Sequence, residues 1–167
     1  TSNRRISRPV ERVNARLNEP FYQMYKASWK TSLATGEMTM TEPKQFASSL
    51  SSPYNTGPVS FYNKGNNMVF VSSSTETDEN GVYSLGLYFA VLEDNKWKMA
   101  SSYSHNNNSY SINDVSINED GTVLFFSSDM KGGFGGNDIY TSQLKDGSWS
   151  KPQNLGESVN TSQNEIF

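Results

Sequence analysis

The chain has 167 residues, of which 34% are hydrophobic and 19% charged, with a net charge of −3, one histidine and no cysteine. These figures exclude disulfide frameworks, cysteine-ligated zinc and two-histidine metal sites. No window approaches the ~20 apolar residues that a membrane-spanning helix needs. The 26 serines and 18 asparagines, beside 13% aromatic residues, favour short strands joined by hydrogen-bonded turns. We therefore expect an all-β protein.

Charge divides the chain into two parts. All five arginines lie within residues 1–16, which carry +4, whereas residues 17–167 carry −7. Apolar residues recur at helical spacing in the basic part, and Pro9 is placed to begin a helix. Residues 1–20 are predicted to be a basic connector or a short amphipathic helix over 8–18. A linker or a docked helix is favoured over membrane or nucleic-acid binding, because four apolar residues bury too little to anchor it.

A repeat begins after residue 20. Residues 67–74 and 122–129 align without a gap at an offset of 55 residues, each with four apolar residues followed by two serines. Shorter strand signals precede both segments, and apolar-aromatic strands and tight turns follow them. The strands predicted in the first unit are 58–61, 67–74, 87–91 and a fourth strand at Trp97. Those predicted in the second unit are 114–117, 122–129, 139–144 and a fourth strand at Trp149.

The same pattern extends toward both ends of the chain. Residues 21–27 match a third strand, residues 35–36 a turn and Met38–Met40 a fourth strand, while residues 164–167 match a first strand. The chain is thus expected to stop inside a repeat, and Thr1 is not expected to be the true N terminus. The predicted repeat segment is 21–167, divided into a partial unit at about 21–50, whole units at about 57–108 and 112–162, and the start of another at 164–167.

Four strands repeated every ~50 residues are typical of β-propeller blades. A propeller ring closes with at least ~4 blades, so the blades present here make an incomplete ring. Each blade needs neighbours on both faces of its sheet, and an isolated stack would leave open faces and unpaired strand edges. We expect the rest of a longer protein, or a partner, to cover them.

Residues 116–140 read Ser-Ile-Asn-Glu-Asp-Gly-Thr-Val-Leu-Phe-Phe-Ser-Ser-Asp-Met-Lys-Gly-Gly-Phe-Gly-Gly-Asn-Asp-Ile-Tyr and resemble the WD-like propeller repeat of the TolB type. The continuation over 146–165 is similar to the variant found in large envelope proteins of Bacteroidota. In that group the propeller often lies between tetratricopeptide repeats and a C-terminal OmpA-like peptidoglycan-binding domain. Some members belong to the type IX secretion and gliding machinery.

The resemblance implies a location in the periplasm, associated with the outer membrane. It implies other envelope proteins as partners, and peptidoglycan contact through a domain that is not in this sequence. The acidic charge of residues 17–167 argues against nucleic acid, because it repels phosphate.

Several motifs have structural interpretations that we favour over catalytic or metal-binding ones. Asp120-Gly121 and Asp146-Gly147 are interpreted as hairpin turns and not as calcium ligands. Asp138 is expected to hydrogen-bond the backbone of the adjacent loop. The glycine-rich residues 132–136 lack the following Lys-Ser or Lys-Thr of a phosphate-binding loop, and are predicted to be a flexible connection between strands.

Catalytic patterns are missing from the sequence. His105 lies in a polar loop without an acid beside it, and no Gly-x-Ser-x-Gly elbow occurs. No pair of carboxylates stands out for glycoside cleavage, although such pairing is spatial and spacing alone does not decide it. We expect no enzymatic activity and no cofactor or metal.

The leading hypothesis is a non-catalytic interaction platform. One alternative is a carbohydrate-binding or carbohydrate-active propeller, and another is a structural spacer. Trp29, Trp97 and Trp149 occur once per unit, and packing between blades is favoured for them over ligand stacking. The candidate contact residues for a partner or a glycan are aromatic: Trp97, Tyr103, Tyr110, Phe134 and Trp149.

Overall fold

The computed structural model describes residues 13–14 and 19–167, with side chains from Phe21 onward. In this part of the chain the fold is all-β, as predicted, and consists of small antiparallel sheets with one 3₁₀ turn at Ser48–Leu50. The strands are β1 Val13–Asn14, β2 Glu19–Pro20, β3 Tyr25–Lys26, β4 Trp29–Thr31, β5 Met38–Met40, β6 Lys44–Gln45, β7 Thr56–Tyr62, β8 Asn67–Thr77, β9 Tyr83–Glu93, β10 Lys96–Ser102, β11 Ile112–Ile117, β12 Val123–Ser128, β13 Asp138–Lys145, β14 Ser148–Trp149 and β15 Gln153–Asn154.

Sheet I is a four-stranded antiparallel sheet in the order β10-β9-β8-β7, in which every strand pairs with its neighbour in sequence. Its strands coincide with the first predicted unit and are longer at their ends. Asp94 and Asn95 form the two-residue turn between β9 and β10, with φ of 51° and 59°. Such left-handed pairs match the twist of a hairpin, which explains why short polar residues occupy them.

Sheet II repeats this arrangement in the order β11-β12-β13-β14, and β15 adds a short pairing with β13 that the sequence did not predict. Asp146 and Gly147 join β13 to β14 with φ of 50° and 75°. Gly121, with φ of 70°, lies in the turn between β11 and β12. The hairpin-turn interpretation of both Asp-Gly pairs is confirmed by their positions between paired strands.

Strand β8 is apolar on both faces of sheet I, and its residues 68–73 are all buried. Alternate side chains of a strand point to opposite faces. Val69 and Val71 therefore belong to one core cluster, whereas Met68 and Phe70 belong to another. The first cluster joins sheet I to sheet II, and the second joins sheet I to residues 24–50.

The two sheets pack face to face with their first strands adjacent. The Ile117 amide of β11 donates to Ser60 Oγ of β7 at 3.3 Å, and the Asn63 amide donates to the Glu119 carbonyl at 3.0 Å. The core between the sheets consists of Val69, Val71, Leu87, Phe89, Tyr103, Ile112, Val115, Ile117, Leu124, Phe126 and Tyr140.

The predicted partial unit at 21–50 differs from the prediction. Residues 21–27 do not form one strand, because only Tyr25–Lys26 is extended and it pairs with β6. Met38–Met40 is a strand as predicted, but it pairs with β4 in a separate two-stranded sheet. Trp29 is 63% exposed there, contrary to the packing role expected, because the described residues place no second sheet against this short hairpin.

Two further expectations fall at the ends of the described chain. Of the predicted helix over 8–18, only Val13–Asn14 is described, and this pair is an extended strand paired with β2; the remainder lies outside the described residues. Residues 164–167 are not a strand, since their backbone meets the rest of the structure at one hydrogen bond from the Glu165 amide to the Asn137 carbonyl. Within the described residues, no helix has the length and apolarity to cross a bilayer.

Neighbouring phenylalanines on β12 give a direct test of the face-to-face packing. Phe126 is fully buried between the sheets, whereas Phe125 points to the other face of sheet II and is 39% exposed. We expect Phe126→Ala to lower the free energy of unfolding by about 3–5 kcal/mol, because it leaves a cavity. Phe125→Ala, the matched control, should cost less than about 1 kcal/mol in the same urea titration. Equal losses would contradict this packing.

Candidate partner-binding surfaces

Trp97 lies half-buried on β10 within an aromatic cluster. Its ring centroid is 5.8 Å from that of Phe61 and 6.0 Å from that of Phe46, and both rings are tilted against it. Its carbonyl accepts a hydrogen bond from Ser49 Oγ at 2.8 Å, which ties the 3₁₀ turn to the outer edge of sheet I. The ring of Trp97 therefore packs against Phe46 and Phe61.

Trp149 also packs, and it links the two sheets. Its ring stacks on Phe89 of sheet I with a centroid separation of 5.7 Å and an interplanar angle of 11°. The half-buried ring also borders a cleft of about 450 Å³ between the sheets. Five residues that carry hydroxyl groups are among those that line this cleft, namely Tyr62, Ser101, Ser102, Ser104 and Ser148.

Tyr103 is not a surface residue, and the expectation that it contacts a partner is wrong. It is 2% exposed and packs against Phe126 and Trp149 in the core between the sheets. Its hydroxyl has no hydrogen-bond partner among the described residues, and the hydroxyl of nearby Ser142 donates to the Ser150 carbonyl. Burial raises the pKa of Tyr103 to about 12, and Ser142 offsets part of this effect.

Tyr110 is half-buried against the same core and fixes the polar loop that contains the single histidine. Its hydroxyl donates to the His105 carbonyl, and burial raises the pKa of the Tyr110 hydroxyl. His105 Nε2 lies 3.1 Å from the Trp149 carbonyl. The imidazole thus contacts backbone and aromatic rings, and among the described residues no carboxylate hydrogen-bonds to it.

Phe134 is presented by a loop that a buried carboxylate holds in place. Asp138 is 1% exposed and accepts hydrogen bonds from the Phe134 amide at 2.7 Å, the Gly135 amide at 3.1 Å and Asn154 Nδ2 at 3.1 Å. The expected bonding of Asp138 to the adjacent loop is confirmed. Phe134 itself is 49% exposed, so it remains a candidate contact.

The C-terminal segment also holds residues 132–136 in place. The sequence predicted a flexible connection here and did not indicate this contact. The Gly136 amide donates to the Gln163 carbonyl at 3.0 Å. A Cβ atom added at Gly135 would lie 2.0 Å from the same carbonyl, so only glycine fits there without a backbone shift. The loop is therefore an anchored element that displays Phe134.

A groove lies between sheet I and residues 22–49. It comprises two adjoining cavities, of about 630 and 770 Å³, which share Lys26, Phe46 and Phe61 in their linings. The first cavity is lined mainly by apolar and aromatic residues, and the second adds Lys96, Trp97 and Lys98. Sequence analysis missed this groove because its two walls are far apart in the chain, and only Trp97 was singled out among its residues.

Within residues 21–167, no three histidine, aspartate or glutamate side chains come together in a way that could hold a metal ion. The residues that line the cleft and the second cavity of the groove carry aromatic rings, hydroxyl groups and ammonium groups.

No protein-family model matches the chain, and no curated protein sequence matches it either.

The contacts of Asp138 predict how the Phe134 loop responds to its removal. We expect Asp138→Ala to leave the Phe134 and Gly135 amides without their charged acceptor and to lower the free energy of unfolding by about 1–3 kcal/mol. Hydrogen exchange at Phe134 and Gly135 should accelerate selectively. Asp120→Ala, which removes an exposed acid in a turn, is the control. Unchanged exchange at the two amides would show that Asp138 does not anchor the loop.

Burial of Tyr103 predicts a loss of stability at high pH. Its pKa is raised from 10 to about 12 in the folded chain, so its stabilising contribution is complete below pH 10 and disappears as the pH rises toward 12. We expect Tyr103→Phe to reduce the fall of unfolding free energy over this range, whereas Tyr22→Phe at an exposed site should not. Urea titrations at several alkaline pH values test this. Identical pH profiles for the two variants would contradict it.

Proposed function

We propose that residues 21–167 form consecutive blades of a β-propeller and serve as a non-catalytic protein-interaction platform of a bacterial envelope protein. One observation carries the blade assignment: sheets I and II have the same strand order and pack face to face with β7 beside β11. Stacked meander sheets with adjacent first strands are the arrangement that a propeller requires.

The outer face of sheet II supports the proposal of a larger ring. Ser116 and Gln143 are exposed on this sheet, and Phe125 is partly exposed. Sheet I, in contrast, has cover on both faces. A further blade against Phe125 would give sheet II the same environment that sheet I already has, which accounts for the difference in exposure between them.

The interaction role follows from what the surface displays. Phe134 projects from an anchored loop, and the groove exposes aromatic rings and lysines, so rigid elements present adaptable contact groups. The proposal assigns no chemical step to His105 or to any carboxylate.

The cellular setting is the part of the proposal that rests on the resemblance of residues 116–165 to TolB-type repeats. On that basis the protein belongs in the periplasm, associated with the outer membrane. A link to type IX secretion or gliding machinery, and peptidoglycan anchoring through another domain, complete the proposal.

A carbohydrate-binding role is the second candidate, and the cleft beside Trp149 favours it. Several serines and an aromatic ring line this cleft together, a combination that suits polyols. Glycan-fragment binding that is lost in Ser101→Val/Ser148→Val, with an unchanged melting temperature, would favour this candidate over the platform.

Affinity capture from envelope extracts tests the platform directly. Immobilised chain should retain a reproducible set of envelope proteins, and a Leu124→Asp variant, which places a charge in the core between the sheets, should lose them because it cannot keep that core. The same retained proteins with both baits would contradict the platform, and so would turnover of peptide or glycoside substrates by the purified chain.

A further inference from the structure

We propose that the groove between sheet I and residues 22–49 binds an extended acidic peptide. The peptide would place apolar side chains in the first cavity and carboxylates against the lysines of the second. The inference deepens the proposed interaction role and rests on it, since it names the chemistry of one partner and the face that receives it.

The groove is an incompletely covered part of the core. Sheet I presents Val59 and Phe61 toward residues 22–49, but the strands there are only two or three residues long and leave about 630 Å³ open beside them. Phe61, Tyr22 and Tyr25 stay largely exposed at this place. Apolar side chains of a ligand would remove this surface from water, which favours binding.

The charge of the groove is opposite to that of the chain around it. Its second cavity is lined by Lys26, Lys96 and Lys98. These are three of the nine lysines in residues 17–167, which together carry a net charge of −7. No carboxylate lines either cavity. Lys98 Nζ pairs with Glu93 Oε2 at 2.8 Å, whereas Lys26 and Lys96 make no ion pair with any described carboxylate.

A second observation points to an anionic ligand. Lys26 lies directly opposite Lys44 in the pairing of β3 with β6. Like charges directly opposite each other in such a cross-strand pair are destabilising. A carboxylate bound beside Lys26 would relieve this repulsion, so the short sheet at the groove wall is suited to an acidic partner.

The details favour a peptide over an anionic polysaccharide or a second copy of the chain. Phe46 and Phe61 tilt against Trp97, so that ring is not presented as a flat platform for sugars. β10 is the edge strand of sheet I, and beyond Trp97 its outward backbone groups have no partner among the described residues. A peptide backbone matches such an edge. A second copy docking through the same groove would bring lysines against lysines.

The test uses the full chain and a fluorescein-labelled peptide in which three apolar residues precede three glutamates. Binding is measured by fluorescence anisotropy. The main variant is Lys26→Glu/Lys96→Glu, which leaves the Lys98–Glu93 pair intact. Lys145→Glu/Lys151→Glu, at exposed lysines outside the groove, makes the same change in net charge. We expect the first variant to weaken binding about tenfold or more, and the second less than about twofold.

Matched ligands complete the experiment. A peptide with glutamine in place of glutamate should bind at least about tenfold more weakly, and amide chemical shifts of the bound chain should change at residues 96–102. The inference would be overturned by no binding, by equal losses in the two variants, or by tighter binding of oligogalacturonate than of the peptide. If capture of envelope proteins persists while the peptide fails, the platform stands and this groove assignment falls.

Discussion

Strand β8 places apolar side chains on both faces of sheet I, and exposure of either face to water is unfavourable. Val69 and Val71 require cover on one side, while Met68 and Phe70 require it on the other. A single hairpin or an isolated four-stranded sheet cannot supply both covers. The position of sheet II against one face, and of residues 21–50 against the other, follows from this requirement.

The two covers differ in how completely they bury the faces of sheet I. Sheet II meets sheet I with three strands of six to eight residues and a continuous hydrophobic core, beside which Trp149 stacks on Phe89. Residues 21–50 meet the opposite face with strands of two or three residues and one 3₁₀ turn, which leave the groove. A rigid core therefore adjoins an exposed groove, a common arrangement in binding proteins.

The sequence predicted the regular part of this fold well. Gap-free alignment of residues 67–74 with 122–129 identified β8 and β12, and the polar turn residues identified the hairpins. These features are local, so spacing and residue type suffice to find them. Asp138 was also assigned correctly, because its target loop lies only three or four residues away.

What the sequence did not predict depends on contacts between distant residues. Tyr103 looked like a loop aromatic, and only tertiary packing reveals that it fills the core. The predicted strand over 21–27 failed because its partner is β6, which no repeat pattern indicates. Lys26 lies on one wall of the groove and Lys96 and Lys98 on the other, so spacing in the sequence does not show that they line one cavity. The contact of Gly135 with the C-terminal segment also joins residues that are far apart in the chain.

Nuclear Overhauser contacts across the core between the sheets test the central claim most directly. The account predicts cross-peaks from the Trp149 indole to the Phe89 ring, and from the Ile117 amide to Ser60, since both pairs join sheet I to sheet II. A well-folded chain in which Trp149 and Ile117 show contacts only within β11–β15 would contradict face-to-face packing, and with it the proposed blade assignment.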